Sequence, residues 1–250
     1  MDINQKKEIR VRDEQADVFD SWYLQKGILF DWIERRAVIS HLDLQKDDVV
    51  IDAGCGTGRL TLEIAKKCKK VYALDFSPKS IDLLNKKIRV DGIKNIETFV
   101  CDIANPFPIN EKVDKILSIQ VLQHIPTESG KINVLNNFCS YLKNGGKCVV
   151  LVYNFQSLFS QNFLKEGIFQ NGLYYFRFNP QEIENLFSKS GFENILVRGC
   201  INFKGYSRLN KYNLYKLFYP LALFDIFLSK FKQSCLFGNF LIVKGFKKLS

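Results

Sequence analysis

Val-Val-Ile-Asp-Ala-Gly-Cys-Gly-Thr-Gly-Arg-Leu-Thr occupies residues 49–61. The β-branched run Val49-Val50-Ile51 follows the polar pair Asp47-Asp48 and predicts a strand. Asp52 leads into a turn, Ala53 to Gly58, with glycines at 54, 56 and 58, after which Leu60, Leu62, Ile64 and Ala65 read as a helix. Strand, glycine turn and helix in this order suit a bound ligand, because residues without a Cβ let backbone N–H groups approach it closely. The dinucleotide pattern G-x-G-x-x-G/A would need Gly or Ala at position 59, where this chain has Arg59, so NAD is disfavoured. Asp75 ends the next strand, Val71-Tyr72-Ala73-Leu74-Asp75, 21 residues after Gly54. A carboxylate there can accept hydrogen bonds from two ribose hydroxyls. A ribose-bearing cofactor is expected.

Working outward, Ser77 and Pro78 supply a helix N-cap and first helical residue for a segment running to about Val90. Further strands are predicted at Ile96–Cys101, Val113–Ile119, Lys147–Tyr153, Ile195–Ile201 and Phe240–Phe246. One helix is predicted from about Gly130 to Leu142, ended by Asn144-Gly145-Gly146; another opens on the capping box Asn179-Pro180-Gln181-Glu182 and stops at Gly191. No repeat, low-complexity tract or long linker divides these elements, so the chain reads as one α/β domain with a mainly parallel sheet. Apolar residues between 14 and 40 (Ala16, Val18, Phe19, Trp22, Leu24, Ile28, Leu29, Trp32, Ile33, Val38) form a helical preface that could lie across the strand ends. The expected boundaries are a helical lid at 1–42, a cofactor-binding core at 43–202, an aromatic basic insertion at 203–237, and a last strand with tail at 238–250.

Composition bounds the function. The 250 residues are 46% apolar and 14% aromatic, enough for one sizeable core. The longest apolar run, Leu217 to Phe224, contains Pro220 and is far short of the roughly 20 residues a spanning helix needs. Residues 1–11 lack an apolar signal region, so a cytoplasmic protein is expected. The seven cysteines are scattered without a CxxC pair and read as reduced thiols. Neither His41 nor His124 has a Cys or His neighbour at ligand spacing, so no metal site is expected. The net charge of +10 is concentrated at the end: residues 203–250 carry nine Lys/Arg against Asp225 alone, a net +8. That asymmetry fits a nucleic acid, an anionic membrane surface, a phosphorylated substrate or an ordinary solvated face.

Four segments in order resemble the class I S-adenosylmethionine-dependent methyltransferases, of the small-molecule type: D-A-G-C-G-T-G at 52–58, L-D-F-S at 74–77, C-D-I at 101–103 and S-I-Q-V-L-Q-H-I at 118–125. The resemblance covers roughly residues 14–202. It implies a Rossmann-like, seven-stranded, mostly parallel sheet with helices on both faces, and S-adenosylmethionine as cofactor with S-adenosylhomocysteine as product. It further implies that Gly54, Cys55 and Gly56 pack against the methionine part, chiefly through backbone. Asp75 would hold the ribose, Phe76 would cover one adenine face, Asp102 would accept the adenine amino group, and Ile103 would offer its backbone to the ring. Gln120 would lie beside the methionine moiety, with Ser118 and Ile119 contributing main chain, and Asp52 would order the turn and approach the ammonium group.

Methyl transfer from a sulfonium is an in-line displacement, so aligning the acceptor and excluding water are the main tasks. His124 follows the fourth strand and is the candidate base; its alternative is a structural residue bonded to neighbouring backbone. The segment after that strand lacks the Asp/Asn-Pro-Pro-aromatic motif of base amino methylation. The chain also lacks a Pro-Cys pair for cytosine C-methylation, a glutamate pair for arginine, and the acidic cluster of metal-dependent catechol-type enzymes. The reading is therefore methylation of an oxygen or nitrogen on a small-molecule acceptor, in the biosynthesis of a natural product, sugar, quinone or lipid. Tyr23, Tyr153, Tyr174, Tyr175 and Arg177 are candidate acceptor residues.

The insertion holds ten aromatics in 35 residues, with Leu217, Leu221, Phe224, Leu228 and Phe231 on one predicted helical stripe. It could pack on the sheet, join two copies, wall an apolar substrate or rest on a membrane surface. Monomer and homodimer stay open. The alternative function is an RNA or protein methyltransferase whose basic segment tracks phosphates. A further one is a binding protein that retains the fold without turnover.

Overall fold

The computed structural model describes residues 3–25, 28–158, 163–203 and 214–249. β1 (Val49–Ala53) is buried at every position and sits inside a seven-stranded sheet. β2 (Lys70–Asp75) and β3 (Ile96–Val100) extend the sheet on one side of β1; β4 (Val113–Ile119) and β5 (Leu142–Tyr153) extend it on the other, all parallel. β6 (Glu166–Ile168) and β7 (Tyr174–Phe176) form a separate hairpin. β9 (Phe240–Lys247) pairs antiparallel to both β5 and β8 (Phe192–Cys200), giving the order β3-β2-β1-β4-β5-β9-β8. This is the Rossmann-like sheet the motifs imply. Because the middle of the sheet is covered on both faces, β1 is buried at every position and β5 from Gly146 to Val152, without the alternation of a half-exposed strand.

One face is covered by α5 (Glu128–Tyr141) and α6 (Pro180–Lys189), whose Phe138, Ile183 and Phe187 pack with Ile51, Ile116 and Val150. The other carries α2 (Ile28–Leu42), α3 (Thr61–Ala65), α4 (Pro78–Val90) and α7 (Tyr219–Leu228). Ser77 caps α4 by accepting from the Ser80 amide at 3.1 Å, with Pro78 at the first position, and the Asn179 capping box opens α6.

Four expectations need correction. The preface is two helices, α1 (Ile3–Gln25) and α2, and only α1 reaches the cavity described below; α2 is a core helix with Leu29, Ile33, Ala37, Val38 and Leu42 buried. α5 begins at Glu128, capped by Thr127, and ends at Tyr141. Asn144-Gly145-Gly146 does not terminate the helix but lies in β5, where the register to β4 shifts between Val113 and Lys115. The insertion is not one helix: Pro220 opens α7, and short 3₁₀ turns, Leu214–Phe218 and Lys232–Leu236, flank it. Its buried face is Ala222 and Asp225, so Leu217, Phe224 and Phe231 of the predicted stripe are exposed. Among the described residues no helix is long and apolar enough to cross a membrane.

His41, at the end of α2, is held by a backbone hydrogen bond with Ser229, and burial together with the nearby Lys244 charge lowers its pKa to about 4. His124 is lowered to about 3, again chiefly by burial. As pH falls below about 6.5, the unfolded chain takes up protons that the folded imidazoles refuse, so stability falls. Asp52, whose pKa burial raises to about 6, opposes the trend between that value and the ordinary carboxylate range. Urea unfolding at pH 7 and pH 5 should therefore show lower stability at pH 5. His41→Leu should reduce the difference by about 2 kcal/mol; an unchanged difference would refute the buried, neutral assignment.

Candidate active site

The glycine turn is held from two sides. The Gly54 and Cys55 amides both donate to the Leu74 carbonyl, at 2.7 and 2.9 Å, and the Gly56 amide donates to Asp75 Oδ2 at 2.8 Å. Gly54 has φ +81°, and a Cβ there would lie 2.2 Å from Val121 Cγ2, so only glycine fits. Gly56, at φ +53°, is different: a Cβ would meet nothing within 4 Å.

This turn forms the floor of a cavity of about 470 Å³ at the C-terminal ends of β1, β2 and β4, where ligands of open parallel sheets bind. Asp52, Gly54, Cys55, Gly56, Asp75, Phe76, Asp102, Ile103, Ile119 and Gln120 all line it, so ten of the eleven residues expected to contact the cofactor converge on one space. Ser118 does not line it; its hydroxyl donates to the Ala53 carbonyl at 2.8 Å and ties β4 to β1.

The geometry suits a nucleoside. Asp75 accepts one backbone N–H on each oxygen, Gly56 on Oδ2 and Ser77 on Oδ1 at 2.9 Å. Each carboxylate oxygen keeps a second acceptor position, the pair that a vicinal diol requires. Burial raises the Asp75 pKa against these two hydrogen bonds. Phe76 and Ile103 add apolar surface, and Asp102 Oδ1 accepts from the Ala104 amide at 2.9 Å. Asp52 is buried and accepts from Thr61 Oγ1 at 2.7 Å.

Gln120 adopts φ +57°, a conformation costly for a residue with a side chain. Its Nε2 donates to Glu34 Oε2 at 2.6 Å, and Glu34, fully buried on α2, also pairs with Arg59. Arg59 pairs with Asp31 as well. The residue that departs from the dinucleotide pattern thus fastens α2 to the turn, and α2 in turn fixes Gln120.

α1 roofs the space with Glu8, Arg12, Gln15 and Ala16. It is anchored by Asp13, which accepts from the Ser77 hydroxyl and the Lys79 amide at the start of α4, and by an Asp17–Lys79 ion pair. Glu8 and Arg12 pair at 3.6 Å, although burial still raises the Glu8 pKa.

The far end of the cavity is lined by His124, Ile125, Pro126, Tyr153, Phe169 and Leu173. His124 Nδ1 lies 2.7 Å from the Tyr174 carbonyl, to which it donates, leaving the Nε2 lone pair as acceptor. Of the other predicted acceptor residues, Tyr174, Tyr175 and Arg177 do not line the cavity. Tyr174 donates through its hydroxyl to Glu166 at 2.7 Å, while Tyr175 stacks on Phe169 at 4.3 Å and Arg177 lies over the Tyr153 ring at 5.2 Å. Tyr175 and Arg177 back the wall that Phe169 and Tyr153 present. Tyr23 is on α1, and its side chain is outside the described residues.

Sequence reasoning passed over Glu8, Arg12 and Gln15, and also Phe169, Asn171 and Leu173 at the hairpin tip. Asn171-Gly172, with Gly172 at φ +85°, was the available signal for that hairpin.

A family model described as a methyltransferase domain matches residues 44–200. A probable cobalt-precorrin-6B C(15)-methyltransferase (decarboxylating) of Methanocaldococcus jannaschii is 36% identical over 115 residues, 40% of this chain and 63% of that one. An uncharacterized RNA methyltransferase of Oceanobacillus iheyensis is 35% identical over 85 residues, 34% of this chain and 17% of that one. The match thus spans less than two thirds of these relatives' length. A solved methyltransferase of Thermotoga maritima, described as a possible histamine N-methyltransferase, superposes with TM-score 0.66 over 96% of this chain and 99% of that one, at 17% identity, which shows the shared fold.

Proposed function

The chain belongs to the methyltransferase-domain family, as a class I S-adenosylmethionine-dependent enzyme, and from that membership we propose that it methylates an oxygen or nitrogen of a small-molecule acceptor. One observation carries this reading. The cavity that holds the glycine turn and Asp75 continues to His124, Tyr153 and Phe169 beneath α1, so cofactor and acceptor would share one roofed space of the size small ligands occupy.

When bound, S-adenosylmethionine supplies an electrophilic methyl group on a sulfonium. Gly54, Gly56 and Gln120 would hold its amino-acid end, Asp75 the ribose, and Phe76, Asp102 and Ile103 the adenine. Tyr153, Phe169 and Leu173 would hold the apolar body of the acceptor, and α1 would keep water out. His124 is assigned to orient the acceptor, because a neutral Nε2 accepts a hydrogen bond from an incoming N–H or O–H. A group titrating near 3 is too weak a base to strip an ordinary hydroxyl, which favours acceptors delivered as neutral amines or acidic hydroxyls.

Labelled S-adenosylmethionine offered with aromatic and lipidic amines and alcohols should put label into a low-mass product. Label entering RNA or protein instead would overturn the reading, and RNA is the competitor that the Oceanobacillus similarity supports. On a turned-over acceptor, kcat should show no limb from His124 between pH 5 and 8, and His124→Ala should lower kcat roughly tenfold to hundredfold. A limb near pH 6.5 that vanishes in the variant would make His124 an ordinary base instead.

A further inference from the structure

Among the described residues, α7 leaves one face uncovered. Its inner face is settled: Ala222, Asp225 and Ser229 are buried, and the Asp225 carboxylate accepts from the Asn202 amide at 2.7 Å and from Asn202 Nδ2 at 2.8 Å. Its outer face carries Leu223, Phe224 and Phe227, with Leu217 before the helix and Phe231 after it, each between 47% and 74% exposed. Positions 220, 223, 224, 227 and 231 follow helical spacing, and Pro220 on this stripe is exposed too. Phe203, Phe224, Phe227 and Phe231 form a ladder with successive ring centroids 6.4, 6.4 and 5.1 Å apart. A contiguous exposed apolar strip of this kind marks an interaction surface.

The rim of the strip is cationic. Lys216 precedes α7, Lys230 and Lys232 follow it, and all three are exposed, whereas the helix's one carboxylate, Asp225, faces inward. At the amino end, Tyr219 meets Trp32 edge-on at 5.1 Å, and the Arg36 guanidinium lies 4.6 Å over the same indole. The adjoining hollow is lined by Arg35, Lys66, Lys67 and Glu63, with Arg35 and Lys67 both paired to Glu63.

We infer that this face rests on an anionic lipid surface, with the leucine and phenylalanine side chains in the acyl boundary and the lysines at headgroup level. RNA fits less well, because Leu217, Pro220 and Leu223 offer no plane for a base and no donor for a phosphate. A second copy fits less well too, since an antiparallel two-fold contact along this strip would bring Lys216 of each copy toward Lys230 and Lys232 of the other.

The test is sedimentation of the full chain with vesicles. The wild type should pellet with phosphatidylcholine vesicles containing phosphatidylserine, severalfold less with phosphatidylcholine alone, and should be released by salt. Phe224→Ser with Phe227→Ser should weaken the partition by about tenfold or more, with circular dichroism and thermal unfolding reporting that the chain is folded. Should that variant not fold, Lys230→Glu with Lys232→Glu, both at exposed positions, should also weaken it. Wild type left in the supernatant overturns the proposal, whether the face then proves to join a dimer in the ultracentrifuge or to capture an RNA homopolymer. Equal binding to neutral vesicles, or undiminished binding by both variants, overturns it as well.

Discussion

Asp75→Ala is expected to lower the affinity for S-adenosylhomocysteine by a hundredfold or more, on the order of 3 kcal/mol. Two losses combine. The proposed ribose diol loses its acceptor, and the Gly56 and Ser77 amides lose the carboxylate that they share. The second loss also acts without ligand: two donors left unpaired in a buried site cost about 1–3 kcal/mol each, so the melting temperature of the free protein should fall. Asp75→Asn separates the effects, because its remaining carbonyl oxygen accepts only at one side. Equilibrium dialysis should rank the wild type above Asn above Ala. An Ala variant that melts early but binds with wild-type affinity would restrict Asp75 to a structural role.

Gly56→Leu is expected to abolish cofactor binding while leaving the fold largely intact. A Cβ at Gly56 meets nothing within 4 Å, and the residue lines the cavity, so the added side chain would occupy ligand space rather than displace protein. The φ of +53° adds strain of about 1–2 kcal/mol. Gly54→Leu is the contrasting case: its Cβ would meet Val121 at 2.2 Å and force the turn apart, so stability should fall far more. Thermal unfolding with and without S-adenosylhomocysteine should show the position 56 variant folded and unresponsive to ligand. A full ligand-induced shift in that variant would move the binding site away from the turn.

The half of the cavity proposed to hold the cofactor was legible because it is built from local sequence. Each contributing segment is a strand end followed by a turn, and glycines or short acidic residues there advertise a backbone conformation or a hydrogen-bond acceptor. Asp75, Asp102 and the glycines fall in separate segments, yet parallel strand pairing brings their ends together, as the register Ala53 to Leu74 and Asp75 to Val100 shows. Ser118, expected to contribute main chain, is outside the cavity lining, and its hydroxyl turns back to Ala53.

The roof and the half proposed for the acceptor were harder to read because they depend on tertiary placement. Glu8 and Arg12 lie on a polar helix, where the one-turn spacing of the pair is indistinguishable from a surface ion pair until α1 folds over the turn. Tyr174, Tyr175 and Arg177 were the conspicuous side chains of the hairpin, but its tip, not its strand, reaches the cavity. In the insertion, the predicted stripe from Leu217 to Phe231 runs past both ends of the real helix, Tyr219–Leu228, which short 3₁₀ turns flank.

S-adenosylmethionine specificity of this cavity is tested most directly by one calorimetric titration of the full wild-type chain with S-adenosylhomocysteine, followed by NADH under the same conditions. It predicts saturable one-site binding of S-adenosylhomocysteine and no heat of binding with NADH, since Arg59 stands where a dinucleotide turn needs a small residue and is committed to Asp31 and Glu34. NADH binding that S-adenosylhomocysteine cannot displace, or a folded chain that binds neither, would contradict the assignment of this cavity.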